Sequence, residues 1–137
     1  MLSGVERGSI NQVWDVVGRM LEPNLSEQDT IDNVHERLLE GTLQLVINID
    51  ETTHYPNAAC VTEVIDTPVG KKVNICYCAG KDRRKWLDSL DKMEAWAEKQ
   101  GCVSVMISHA RPGWKPELSA KGYVVKAILL EKALPNG

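Results

Sequence analysis

The sequence predicts an α+β domain, with a mixed and mostly antiparallel sheet that carries helices on both faces. Three observations lead to this prediction. Apolar residues recur at helical spacing near the N-terminus, extended apolar runs with short turns follow, and strand and helix patterns then alternate. Strands joined by short turns pair antiparallel, whereas a strand–helix–strand unit pairs parallel. Both kinds of pairing are therefore expected in one sheet.

Two amphipathic helices are predicted first. Ser9 can cap the first helix and Pro23 stops it, while Ser26 is expected to start the second and Gly41 to terminate it. The apolar faces consist of Ile10, Val13, Trp14, Val17, Met20 and Leu21 in the first helix, and of Ile31, Val34, Leu38 and Leu39 in the second. Each helix should pack this face against a sheet.

Three strands with short connections follow. They are predicted at Leu43–Ile49, Ala59–Ile65 and Lys72–Ala79, and they should form an antiparallel meander. Cys76 and Cys78 lie two residues apart in the last of these strands. Strand alternation would then place both thiols on the same face of the sheet.

The C-terminal part alternates between helix and strand. The longest helix buries a stripe formed by Trp86, Leu87, Leu90, Met93 and Ala97, and it ends at Gly101. Val103–Ser108 is a nearly continuous apolar strand, as expected when both faces are covered. A short segment, Pro112–Lys121, leads to a last strand at Tyr123–Glu131. The predicted order over residues 1–137 is α-α-β-β-β-α-β-α-β, in a single domain.

Composition excludes several classes of protein. Of the 137 residues 43% are hydrophobic and 26% charged, which is unlike a disordered or collagen-like chain. No apolar run is long enough to span a membrane, and the N-terminus lacks the pattern of a secretion signal. The net charge of −3 provides no overall basic field, so a nucleic acid is not an expected partner. A protein that is neither secreted nor membrane-inserted is predicted.

The four cysteines do not predict a metal site. They contain no Cys-x-x-Cys, and His35, His54 and His109 do not lie at zinc-ligand intervals. Reduced, buried thiols in a cytosolic setting are the better interpretation.

Six short segments, combined with the order of elements, carry a family resemblance. They are Val61–Val64, Ala79-Gly80, Met93–Ala97, Gly101-Cys102, Arg111–Trp114 and Gly122-Tyr123. These features resemble the GNAT (GCN5-related N-acetyltransferase) fold, and more specifically small GNAT-like proteins encoded by tailed bacteriophages. The resemblance covers nearly the whole chain and lacks only a clear first strand before Ser9.

The resemblance implies acetyl-CoA as cofactor if the protein is an enzyme. In the GNAT fold it lies where two parallel strands splay apart, here Lys72–Ala79 and Val103–Ser108, with its pyrophosphate at the N-terminus of the intervening helix. The family pattern there is Gln/Arg-x-x-Gly-x-Gly/Ala, of which this chain keeps only Gly80. The residues that would contact the cofactor are Cys78, Ala79, Gly80, Arg83, Arg84 and Lys85.

The resemblance also implies a general-acid tyrosine four residues before Gly122, but Leu118 occupies that position. Substitutes are conceivable: Glu63 as a base, and Ser108 or His109 as a proton donor. Tyr77 and Tyr123 are further candidates. Each has a structural alternative, namely a solvent-facing carboxylate, an exposed turn residue, or a core tyrosine whose hydroxyl reaches water.

A basic cluster and a loop tryptophan each allow two interpretations. Lys81 and Arg83–Lys85 lie at a helix N-terminus, where the macrodipole disfavours cations. They indicate either an anionic partner, such as the CoA phosphates, or a solvated first turn. Trp114 could anchor a protein interface, but a plug at the end of the sheet is favoured because large aromatics usually bury.

The broken phosphate pattern and the absent tyrosine favour a non-catalytic role. On this hypothesis the chain is a degenerate GNAT-fold protein, without a cofactor, that contacts other protein chains in a phage virion or during its assembly. The alternative is an active acetyl-CoA-dependent N-acyltransferase that modifies a host or phage amine. The virion or the host cytoplasm is the expected location.

Overall fold

In the computed structural model, residues 2–80, 83–108, 110 and 112–136 are described, and they form a five-stranded sheet with helices on both faces. The strands are β1 (Leu2–Val5), β2 (Gln44–Ile49), β3 (Pro56–Thr67), β4 (Gly70–Gly80) and β5 (Cys102–Ile107). The helices are α1 (Ile10–Leu21), α2 (Ile31–Glu40), α3 (Arg83–Lys99) and α4 (Lys115–Ala120). The strand order is β1-β2-β3-β4-β5. The first three pairings are antiparallel and the β4–β5 pairing is parallel, which confirms the predicted mixed α+β sheet.

The helices divide the interior into two cores. In the first core, α1 and α2 pack on one sheet face, and its buried side chains include Val17, Leu21, Val34, Leu38 and Leu45. In the second core, α3 and α4 pack on the opposite face through Leu90, Met93 and Leu118. Most residues of the predicted apolar stripes therefore face the sheet. Leu39 was expected to face inward but is 38% exposed, because it lies about 100° around the helix from the buried Leu38. The side chain of Trp86, in the stripe of α3, lies outside the described residues.

A β-bulge in β4 overturns the prediction for two cysteines. Val61 pairs with Tyr77, but the next residue of β3, Thr62, pairs with Ile75, so Cys76 is the extra residue of the bulge. An extra residue reverses the alternation of side chains on either side of it. Cys76 consequently lies in the first core, whereas Cys78 packs against the second. The expectation that both thiols share a face was wrong.

The two ends of the chain also differ from prediction. The sequence lacked a clear strand before Ser9, yet Leu2–Val5 forms β1, because it pairs antiparallel with Leu45–Asn48 of β2. Tyr123–Glu131 was expected to be a strand but forms neither helix nor strand. Its apolar side chains are exposed, with Leu130 reaching 88%. A β-like composition does not by itself make a strand, because β-propensity depends on the tertiary context of the segment.

Two local expectations need correction. The second helix begins at Ile31 and not near Ser26: Thr30 is its N-cap, and the Thr30 Oγ1 accepts a hydrogen bond from the Asn33 N–H at 3.1 Å. The strand β5 is not covered on both faces, since Val103 is 61% and Met106 41% exposed. It is the last strand in the described sheet, and α3 covers only one of its faces.

Candidate functional site

The strands β4 and β5 separate part of the way along their length. Their parallel pairing ends at Ile75 and Ile107, and β5 stops there, while β4 continues to Gly80. The Ser108 N–H marks the end of the contact by donating to the Ile75 carbonyl at 3.4 Å. The next residues of β4 therefore have an edge that is no longer paired with β5. The splay that the resemblance implied is present.

A small cleft occupies this splay. Its volume is about 30 Å³, which accommodates about one or two water molecules. It is lined by Asn24, Ile75, Cys76, Tyr77, Cys78, Ile107 and Trp114. Trp114 is half-buried and packs against the second core, so it closes this end of the sheet as predicted. The interior of the splay is mostly filled by side chains, and the accessible surface is its open edge.

A polar cluster lies where Tyr77 leaves the cleft toward the first core. The Tyr77 hydroxyl donates to Asp29 Oδ2 at 2.8 Å, and the Ser26 Oγ lies 3.2 Å from the same hydroxyl oxygen. Because a tyrosine hydroxyl has one hydrogen, Ser26 donates in the second contact. The loop between α1 and α2 is thereby attached to β4 beside the cleft.

The hydrogen bonds and burial of this cluster determine which of its groups carries the negative charge and which keeps its proton. Burial acts to raise the pKa of the Asp29 carboxyl, but hydrogen bonds from Asn33 and Tyr77 outweigh it and hold that pKa below its ordinary value of 3.8. Burial raises the pKa of Tyr77 above 10, and the hydrogen bond to Asp29 adds to the effect. At neutral pH the cluster therefore holds a carboxylate at Asp29 and a proton on the Tyr77 oxygen.

Glu63 is engaged in an ion pair. Its Oε2 accepts from the Arg37 Nη2 at 3.0 Å, between β3 and α2, and it does not line the cleft. Burial raises the pKa of the Cys76 thiol to about 11, and the negative charge of Glu63 adds to that shift. Glu63 therefore lies on the face of the sheet that the first core occupies, and its carboxylate is held there by the Arg37 guanidinium.

The other candidate catalytic residues are not assembled into one group. Leu118, at the position of the family's general acid, is a core residue with 6% exposure. The Tyr123 hydroxyl donates to Glu94 Oε2 at 2.9 Å, and burial together with this bond raises the pKa of Tyr123. Ser108 is exposed in the turn after β5, and His109 lies outside the described residues.

The predicted cofactor residues lie at the end of β4 and the start of α3. Cys78, Ala79 and Gly80 are the last residues of β4. Arg83, Arg84 and Lys85 form the first turn of α3, but their side chains lie outside the described part of the chain, as do Lys81 and Asp82.

Gly80 has a structural reason to be glycine. Its φ is +156°, and a Cβ there would lie 2.8 Å from the Cβ of Ala58 on β3. Close packing of β3 on β4 thus accounts for the one glycine retained from the phosphate-binding pattern.

The described residues contain neither a metal-binding cluster nor a helix suited to cross a membrane. They contain no group of three or more His, Cys, Asp or Glu side chains arranged to hold a metal ion. None of their helices is both long enough and apolar enough to cross a membrane.

Sequence reasoning missed Ser26, Asp29 and Asn24 as residues of this region. Ser26 was interpreted only as the start of the second helix, and Asn24 and Asp29 received no role, although a Ser-x-x-Asp-Thr run precedes α2. The proximity of this run to Tyr77 depends on a contact between residues 48 positions apart, and local spacing does not reveal it.

Comparison with known proteins identifies the fold of this chain. No protein-family model and no curated protein matches the sequence. Solved structures do match over almost the whole chain. The predicted acetyltransferase with acetyl-CoA from Clostridium acetobutylicum superimposes with a TM-score of 0.69 at 16% identity, covering 100% of this chain and 97% of that one. The fold is that of the GNAT enzymes.

Two further structures show the same GNAT fold. A GCN5-related N-acetyltransferase from Ralstonia eutropha gives a TM-score of 0.68 at 15% identity, with 97% of each chain covered. Glucosamine-6-phosphate N-acetyltransferase from Arabidopsis thaliana gives 0.66 at 14% identity, again with 97% of each chain covered. At these identities the similarity establishes architecture and leaves activity to be argued from the site.

The residues at the splay fit a CoA thioester along the strand edge. Beyond Ile75, β4 presents backbone that β5 does not pair, and such N–H groups can donate to a thioester carbonyl. The N-terminus of α3 lies directly beyond this edge, which is the arrangement that favours anions. The cleft itself is too small to enclose an acyl chain, so the fit is at its open side.

Proposed function

We propose that this chain is an acyl-CoA-dependent N-acyltransferase whose acceptor is an amine. The observation that carries the proposal is the separation of β4 from β5 after Ile75, beyond which β4 continues without β5 toward the start of α3. The similarity of the fold to acetyltransferases supports the same conclusion. When bound, acetyl-CoA supplies an activated acyl group as a thioester.

The polar cluster beside the cleft suits a basic acceptor. The Asp29 carboxylate remains ionised at neutral pH and attracts a cationic amine to the mouth of the cleft. The Tyr77 hydroxyl lines the cleft and retains its proton, so it can orient a polar group through a hydrogen bond. With Leu118 in place of a general acid, catalysis depends mainly on backbone polarisation and positioning.

Calorimetric titration of the full chain with acetyl-CoA and with CoA tests the proposal. Binding in the micromolar range is expected. The double variant Arg83→Ala/Arg84→Ala should weaken it at least about tenfold, because each guanidinium can make charge-assisted hydrogen bonds to phosphate. A matched control is Lys92→Ala/Lys99→Ala, which removes the same charge from exposed positions farther along α3. No heat of binding by the wild-type protein would contradict the enzyme proposal.

A second candidate function is favoured by a different observation. The segment after α4 exposes a run of large apolar side chains: Val124, Val125, Ile128, Leu129 and Leu130. An exposed apolar patch of this kind is typical of a protein interface. It supports contact with other protein chains. We propose, as the second candidate, that these chains belong to a phage particle and that this role needs no cofactor.

The second candidate has its own test. In particles assembled with a tagged copy of the chain, Ile128→Lys/Leu130→Lys should reduce incorporation strongly. The control Val69→Lys changes an equally exposed valine in the β3–β4 turn and should incorporate normally. Equal incorporation of both variants would contradict the interaction role. Because this measurement does not involve CoA, the two functions are tested separately.

A further inference from the structure

Two cysteines on neighbouring strands lie in direct contact. Cys60 of β3 and Cys78 of β4 are Cα partners in the antiparallel ladder, and their Sγ atoms are 3.1 Å apart. Directly opposed residues of antiparallel strands have Cα atoms about 4.5–5.5 Å apart, within the range that a disulfide spans. Neither cysteine forms a disulfide in this structure. The strand pairing therefore holds the two sulfurs in contact, and a disulfide requires their further approach by about 1 Å.

The pair is unequal in its access to solvent. Cys60 is buried, at 4% exposure, while Cys78 is partly exposed and lines the cleft between β4 and β5. A small polar oxidant can reach Cys78 through the cleft. Among the described contacts, the only sulfur–sulfur contact of Cys78 is the one with Cys60. Such an arrangement of an accessible thiol beside a second one is typical of a reversible redox pair.

We propose that Cys60 and Cys78 form a reversible disulfide in the floor of the cleft when the protein meets a peroxide. The Cys78 thiol loses its proton, and the thiolate sulfur attacks one oxygen of hydrogen peroxide. The O–O bond breaks and gives a sulfenic acid and a hydroxide, which takes up the released proton to form one water. The Cys60 thiol then attacks that sulfur, forms the S–S bond and releases a second water. The two thiols lose two electrons and two protons, and the peroxide is reduced to two waters.

The other two cysteines are built-in controls. Cys76 follows Ile75 in the same strand, but the bulge turns it into the first core on the opposite face. Cys102 lies at the start of β5, opposite Lys71 at the far end of β4. Neither can replace Cys78 opposite Cys60 without a change in the strand pairing. The bulge therefore decides which thiol of the Cys-Tyr-Cys run can pair.

Peptide mapping of the full chain tests the proposal. The reduced protein is exposed to hydrogen peroxide, alkylated and digested with trypsin without reduction. Loss of two of the four thiols is expected, with a cross-link between the tryptic peptides 38–71 and 73–81 that dithiothreitol reverses. Peptide 73–81 contains both Cys76 and Cys78, so variants must assign the link.

The cysteine variants are expected to differ in whether the cross-link forms. The cross-link should persist in Cys76→Ala and Cys102→Ser and disappear in Cys78→Ser. If Cys78→Ser fails to fold, Cys60→Ser and fragment ions from the wild-type cross-link make the same assignment. A link through Cys76 or Cys102, or oxidation of Cys78 to sulfinic acid with Cys60 still free, would overturn the proposal. Four intact thiols after peroxide treatment that oxidises free cysteine would do so as well.

Discussion

The two faces of the sheet are built from similar parts but differ in how many side chains they bury. On each face a tyrosine hydroxyl donates to a carboxylate: Tyr77 to Asp29 beside the first core, and Tyr123 to Glu94 beside the second. The first core contains most of the buried side chains of the described residues, and α1 and α2 cover it. The second is smaller and borders the cleft, Cys78 and Trp114. The first face thus contributes most of the buried core, whereas side chains from both faces line the cleft.

The largest expected effect contrasts the two cores. Leu45→Ala removes a side chain that is 1% exposed in the first core, and it should lower the free energy of unfolding by about 3–5 kcal/mol. Leu118→Ala, at the edge of the second core, should cost nearer to about 2 kcal/mol, because a cavity near the surface relaxes more easily. Urea unfolding measures both. Equal losses of unfolding free energy in the two variants would contradict this difference between the cores.

A substitution at Gly80 tests whether close packing against β3 determines the backbone conformation at the end of β4. Gly80→Ala places a Cβ against Ala58 at a φ that side chains rarely adopt, so it should cost about 1–3 kcal/mol. Gly8→Ala is the control, since a Cβ there meets nothing within 4 Å. Thermal unfolding of both variants separates strain from a general effect of alanine. A Gly80→Ala protein as stable as the wild type would contradict the packing explanation of this glycine.

Removal of the Tyr77 hydroxyl links stability to pH. Tyr77→Phe should cost about 1–2 kcal/mol at neutral pH, because an ionised carboxylate loses a buried donor. The lowered pKa of Asp29 contributes stability that is present above its ordinary value of 3.8 and is lost as the pH falls through the folded-state pKa. The difference between wild type and variant should therefore shrink below about pH 4. Denaturant titrations at several pH values would reveal a constant difference if Asp29 were not the partner.

The smallest effect is expected at the ion pair on the first face. Arg37 and Glu63 have side-chain exposures of 34% and 30%, so solvent screens their attraction. A double-mutant cycle with Arg37→Met and Glu63→Gln should give a coupling free energy below about 1 kcal/mol. High salt should reduce it further. A much larger coupling would mean that this pair, and not the core, fixes α2 on the sheet.

Most of the secondary structure could be predicted from local pattern. The meander, the crossover through α3 and the apolar faces of α1 and α2 follow from periodicities that are visible in the chain. The bulge at Cys76 could not be predicted, because the register of β4 depends on its pairing with β3. The absence of a strand after Tyr123 could not be predicted either, because β-propensity alone does not decide whether a segment joins the sheet.

The candidate site was predicted only in part. The positions of Cys78–Gly80 and of the basic turn beyond them followed from the resemblance, and the splay was found there. Asp29 and Ser26 were not predicted as neighbours of Tyr77. Glu63 was a reasonable candidate base from its residue type, but α2 brings Arg37 against it.

The sequence by itself determined the layered α+β architecture, because the hydrophobic effect acts on patterns that a helix or strand displays locally. The tertiary structure alone decided which thiol faces which, where β5 leaves β4, and which carboxylate meets a tyrosine. Those outcomes depend on register and on contacts between distant residues, and neither is encoded in the spacing of neighbours along the chain.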